Sequence, residues 1–140
     1  MSAPGTTSIA NAIRNAARPL SGRSNDNDPI LELLADSPLC LLGEATHGTS
    51  EYYLWRSAIS RRLIAEKGFN FIAVEGDWPD CYTVNRYVKG FEGRSAEEVL
   101  HAFSRWPTWM WANQEIVDLA EWLHDFNTYR PADQQVGFFG

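Results

Sequence analysis

The chain has 140 residues, 44% hydrophobic and 21% charged, which suits one domain and supplies enough apolar material for a core, so disorder throughout is excluded. Its 12 Lys and Arg against 18 Asp and Glu give a net charge of −6 with no basic run, so the electrostatic footprint of a nucleic-acid-binding protein is missing. No stretch approaches the ~20 apolar residues of a membrane span; residues 1–23 lack the apolar region of a signal peptide, and Cys40 and Cys81 show no metal spacing, so the expectation is a cytoplasmic protein with reduced thiols and no membrane partner.

Residues 8–20 read as a helix, with Ile9, Ala12, Ile13, Ala16 and Ala17 at helical spacing and Pro19 limiting its end. A polar loop follows, and residues 1–27 form an N-terminal extension to a domain over 28–140. Asp28 is expected to cap a short helix that begins at Pro29. Residues 38–43, with the apolar run Leu39-Cys40-Leu41-Leu42, predict a first strand covered on both faces. The spacing then predicts a helix over 49–67 that buries Tyr52, Trp55, Ile59 and Leu63 and ends at Gly68. Residues 69–74 predict a second strand, which completes a strand–helix–strand unit. Helices are expected over 79–88, from the capping box at Ser95-Ala96-Glu97-Glu98, and over 113–129. Residues 135–140 read as a third strand. The fold class is α/β, a central and mostly parallel sheet flanked by helices, interrupted after its third strand.

Two of these strands deliver charged residues just past their carboxyl ends, where open α/β sheets bind ligands: Glu44 and His47 after the first, Glu75 after the second. If the two strands are neighbours, the three residues share one edge. His suits a general base near neutral pH, and a carboxylate on one ring nitrogen fixes its tautomer. The expected pairing is His47 with Glu75. Arg56, on the following helix, is a candidate for a substrate carbonyl or anion, or equally a surface ion-pair partner. Asp77 and Trp78 extend the second loop, and Trp106, Trp109 and Trp111 offer either an apolar platform or core packing. His101 and His124 lie on predicted helices and read as structural. Glu44 and His47 stand three apart, but without an HExxH pattern no metal is expected, and no GxSxG elbow supports a serine nucleophile.

The stretch Leu42-Gly43-Glu44-Ala45-Thr46-His47-Gly48-Thr49-Ser50-Glu51 resembles the signature of the erythromycin esterase family, and Val74-Glu75-Gly76-Asp77-Trp78 resembles its second motif. Asn85-Arg86-Tyr87-Val88 and Arg105-Trp106-Pro107-Thr108-Trp109-Met110-Trp111 look like two further family segments. The resemblance implies a hydrolase of macrolactone-type esters, with a small-molecule substrate and no cofactor. It also implies that His47 is the base on water, that Glu44 and Glu75 are its supporting acids, and that Arg56 is the active-site arginine. Asp77, Trp78 and Trp109 are the expected substrate contacts. Family members are longer and take further histidines from their second half, so a complementing C-terminal half is the expected partner. Two other classes stay open: a non-catalytic ligand-binding or assembly module, and a metal-dependent hydrolase.

Overall fold

The computed structural model describes residues 4–34, 36–105 and 108–140. Six α-helices and one two-stranded parallel sheet are present among these residues. The helices are α1 (Pro4–Ala16), α2 (Asp28–Leu33), α3 (Ser50–Lys67), α4 (Trp78–Val88), α5 (Ala96–His101) and α6 (Gln114–Asn127); the strands are β1 (Phe71–Ala73) and β2 (Gly137–Phe139).

Local sequence chemistry sets several of the boundaries. Ser95 Oγ accepts the Glu98 N–H at 3.2 Å while Glu98 Oε2 accepts the Ser95 N–H at 2.8 Å, which is the expected capping box. Asn113 caps α6 by accepting the Ile116 N–H at 3.1 Å. Gly68 ends α3 in the left-handed conformation, at φ 76°. Asp28 is the first residue of α2 and not its cap; Asn27 stands at the cap position without a side-chain hydrogen bond. The acid that organises this turn is Asp26, whose carboxylate accepts the N–H groups of Ser21, Gly22 and Arg23. Residues 8–25 of α1 and the loop after it are exposed throughout.

The core forms where α3, α4, α5 and α6 close over the inner face of the sheet, with Tyr53, Val84, Val88, Leu100, Leu123 and Phe138 at its centre. Two asparagines lock the sheet to this layer. Asn127, at the end of α6, donates to Val88 O at 2.8 Å and Val136 O at 2.9 Å and accepts the Val136 N–H at 2.8 Å. Asn85, on α4, accepts the Phe138 N–H at 3.0 Å.

The second and third predicted strands are β1 and β2, paired in parallel with Ile72 opposite Phe138. The first is not a strand. Residues 38–43 belong to no ladder, and their backbone makes no backbone–backbone hydrogen bond among the described residues. Cys40 and Leu42 turn toward a small cluster with Leu31, Ile59 and Leu63, whereas Leu39 and Leu41 are 58% and 85% exposed. The run is apolar on both faces, but only one face has a layer to pack against. The buried face of α3 also differs from expectation: Tyr53, Ser57, Ile59, Leu63 and Ile64 are buried, while Tyr52 is exposed.

Candidate active site

The segment that follows residues 38–43 turns into α3, and the site lies at that turn. Gly48 holds φ +80°, a conformation that L side chains rarely adopt, and a Cβ there would sit 3.2 Å from the Trp109 ring. The backbone conformation favours glycine, and a side chain there would press on Trp109. Three positions before α3 begins, His47 presents its ring beside Trp109, with centroids 6.3 Å apart.

His47 Nδ1 lies 2.5 Å from Glu44 Oε1. The Glu44 side chain is 8% exposed, and that of His47 is 49% exposed. With a carboxylate as the acceptor at Nδ1, the neutral ring carries its proton there and keeps its lone pair on Nε2. Arg56 Nη1 lies 3.0 Å from the other oxygen, Glu44 Oε2. That contact is an ion pair without hydrogen-bond alignment, so Oε2 is a buried acceptor with no hydrogen-bond partner among the described residues. The Arg56 guanidinium is held in turn over the rings of Tyr53, at 4.9 Å, and Trp111, at 5.7 Å. The order is therefore an accessible imidazole, a buried carboxylate and a guanidinium clamped between aromatic rings.

Glu44, not Glu75, is the carboxylate on His47. The expected pairing with Glu75 required residues 38–43 and β1 to be neighbours in a ladder, and they are not. Glu75 is exposed; its backbone carbonyl accepts the Trp111 indole N–H at 2.8 Å. Trp111 is thereby a core residue, and Trp109 is the tryptophan brought to His47. Trp106 lies outside the described residues. Asp77 precedes α4 and pairs with Arg105 at 3.3 Å, and Trp78 packs beside Tyr82. His124 stacks on Tyr87, and His101 faces Glu97 at 3.9 Å.

Tyr53 went unseen in the sequence. It is 2% exposed, and its hydroxyl oxygen accepts the Gly48 N–H at 3.4 Å, tying the His47 turn to the first turns of α3. Burial holds its phenol above the usual range, Glu44 and Glu115 add to this, and the Gly48 N–H and Arg56 oppose it. Tyr53 therefore stays a neutral phenol. Glu115, at the start of α6, accepts a hydrogen bond from Ser50 Oγ and so fixes the start of α3 from the other side. Tyr53 has no sequence signal beyond position, because α3 mixes polar and apolar residues around its axis.

Among the described residues, no three His, Cys, Asp or Glu side chains are grouped so as to hold a metal ion. No helix among them is long and apolar enough to cross a membrane. Both cysteines are free.

The sequence profile of the erythromycin esterase family matches residues 64–140, more than half of the chain. The chain belongs to the erythromycin esterase family. Erythromycin esterase type II of Escherichia coli is 24% identical over 116 residues, which cover 83% of this chain and 26% of that protein. Two solved structures share the fold. One, described as a succinoglycan biosynthesis protein, has a TM-score of 0.79 and 26% identity, covering 100% of this chain and 35% of its own. The other, from Bacillus cereus, has a TM-score of 0.77 and 26% identity, covering 96% of this chain and 32% of its own. The chain thus spans about a quarter to a third of the length of these proteins.

Proposed function

We propose that this chain carries the water-activating part of an ester hydrolase site, with His47 as general base. The observation that carries the reading is the 2.5 Å contact between His47 Nδ1 and the buried Glu44 carboxylate. It favours the tautomer a base needs, with the lone pair on Nε2 of a half-exposed ring. In the reaction, Nε2 takes a proton from water, the water oxygen attacks the ester carbonyl carbon, and the imidazolium returns the proton to the departing alkoxide. Glu44 steadies the positive charge that His47 gains. Arg56, 3.0 Å from Glu44 Oε2, holds the carboxylate in place and is a positioning residue in this scheme.

Family membership supports the hydrolase class, and the name of the Escherichia coli relative points to a macrolactone ester as a first substrate to try. Trp109 forms an apolar wall beside His47 for such a body, and Asp77 and Trp78 are the further contacts the sequence resemblance suggests. The site would stand at the carboxyl edge of a wider, mostly parallel sheet of which β1 and β2 are two strands.

The test is hydrolysis of erythromycin and of 4-nitrophenyl esters by the full chain and three variants. His47→Ala should lower turnover by about 10²–10⁴-fold. Glu44→Gln, which destroys the tautomer preference, should lower it by at least about 10²-fold. Glu75→Gln should stay close to wild type. Unchanged turnover in His47→Ala, no turnover above buffer for the full chain, or equal damage from Glu75→Gln and Glu44→Gln would each contradict the reading.

A further inference from the structure

Residues 44–48 carry the base, yet they belong to no helix or strand. Two polar ties run from them to side chains of α3. One is the ion pair between Glu44 Oε2 and Arg56 Nη1, at 3.0 Å. The other is the Gly48 N–H, which donates to the Tyr53 hydroxyl oxygen at 3.4 Å. Among the described residues, no other backbone group of residues 44–48 makes a hydrogen bond.

Tyr53 has a part in both ties. Residues three apart on a helix share a face, and the Arg56 guanidinium lies 4.9 Å from the centre of the Tyr53 ring. The ring is itself held. It is buried and meets Trp111 edge-on, at 6.5 Å and 80°. Trp111 is fixed in turn by its indole N–H on Glu75 O and by an edge contact with Phe138 of β2, at 6.4 Å. A series of packed contacts therefore runs from the sheet through Trp111 and Tyr53 to the residue that follows His47. The hydroxyl adds nothing to that packing, since a Phe ring would fill the same space, and a buried polar atom costs free energy unless it is bonded. What the oxygen adds is an acceptor for the Gly48 N–H. That N–H lies in one peptide plane with the His47 carbonyl, so holding it also holds the backbone from which the imidazole projects.

We propose that Tyr53 is a positioning residue for the base. Through the Gly48 N–H its hydroxyl sets the His47 ring against Glu44, and its ring seats the Arg56 that holds Glu44. This role presupposes the hydrolase reading of His47 and gives one buried side chain the alignment that such a reaction needs. Alignment carries much of the rate, because a misplacement of about 1 Å costs on the order of 10²-fold.

Tyr53→Phe keeps the ring, the seat of Arg56 and the edge contact with Trp111, and removes only the acceptor. For 4-nitrophenyl esters, kcat should fall by about 10- to 100-fold, with KM within about twofold of wild type. The urea midpoint should stay close to wild type, and a long-range ¹H–¹⁵N correlation spectrum should show His47 losing its Nδ1–H preference. A lowered urea midpoint with tautomer and kcat unchanged would make the role one of stability alone and overturn the assignment. Tyr53→Leu, which removes ring and hydroxyl together, should lower kcat further; equal losses in the two variants overturn the part given to the ring. If the wild type shows no ester turnover, the hydrolase reading fails, and the spectrum still decides on Tyr53: a changed tautomer in Tyr53→Phe supports its hold on the imidazole, and an unchanged one overturns it. A further measurement needs no variant. In the wild type, the Gly48 amide, corrected for intrinsic rate, should exchange on the order of 10-fold slower than those of Ala45 and Thr46. Equal exchange at all three overturns the tie.

Discussion

At the scale of single residues, the site depends on a glycine and a buried acid as much as on the histidine. Gly48→Ala forces an L side chain into φ +80° and drives its Cβ against Trp109, whereas Gly68, at φ +76°, has open space around it. Each substitution should cost about 1–2 kcal/mol for the backbone conformation. Gly48→Ala should cost more than Gly68→Ala and should also shift tryptophan fluorescence; equal losses in urea unfolding and an unchanged spectrum would contradict the contact. The cysteines make a second comparison. Burial pushes the Cys81 thiol up to about 11, with Asp80 and Asp77 adding to it, and burial also raises Cys40. Because Cys81 is fully buried and Cys40 is not, iodoacetamide at pH 8 should modify Cys40 first, followed by mass spectrometry; Cys81 reacting as fast as Cys40 would count against the packing of β2 and α4 around it. The sequence alone made His47, Glu44 and Arg56 candidates, because charged residues just past an apolar strand-like run are recognisable. It misassigned the partner of His47, since that depended on which extended stretches lie side by side, and this is a property of backbone pairing that no residue type encodes.

At the scale of elements, the caps and the two paired strands were legible, since Ser95, Asn113 and Gly68 act through the neighbouring backbone alone. The face of α3 was not. Its buried side includes Ser57 and, nearby, the half-buried Arg56 and Ser60, because that side lines a cavity and a charged site as well as the apolar core. Residues 38–43 have the composition of a doubly covered strand and lack the neighbour that would make them one. The element that holds the sheet is the end of α6. Asn127→Ala removes three buried hydrogen bonds and strands Val88 O and both backbone groups of Val136. At about 1–3 kcal/mol for each unsatisfied group, with partial rescue by water, a loss of about 3 kcal/mol in urea unfolding is expected. A loss under about 1 kcal/mol would show that α6 and β2 are not joined in this way.

At the scale of the whole molecule, the core and the site lie on the same side of a narrow sheet, and the other side carries exposed Phe71 and Phe139. The chain holds an imidazole–carboxylate–guanidinium series assembled entirely from residues 44–56, before the segment that the family profile matches. That series is local in sequence. In the proposed reaction the Glu44 carboxylate sets the tautomer of His47. The most direct measurement is a long-range ¹H–¹⁵N correlation spectrum of the imidazole in the full chain at a pH where the ring is neutral, compared with Glu44→Gln. The account predicts the Nδ1–H tautomer in the wild type and a loss of that preference in the variant. An Nε2–H tautomer in the wild type, or the same populations in both proteins, would contradict it.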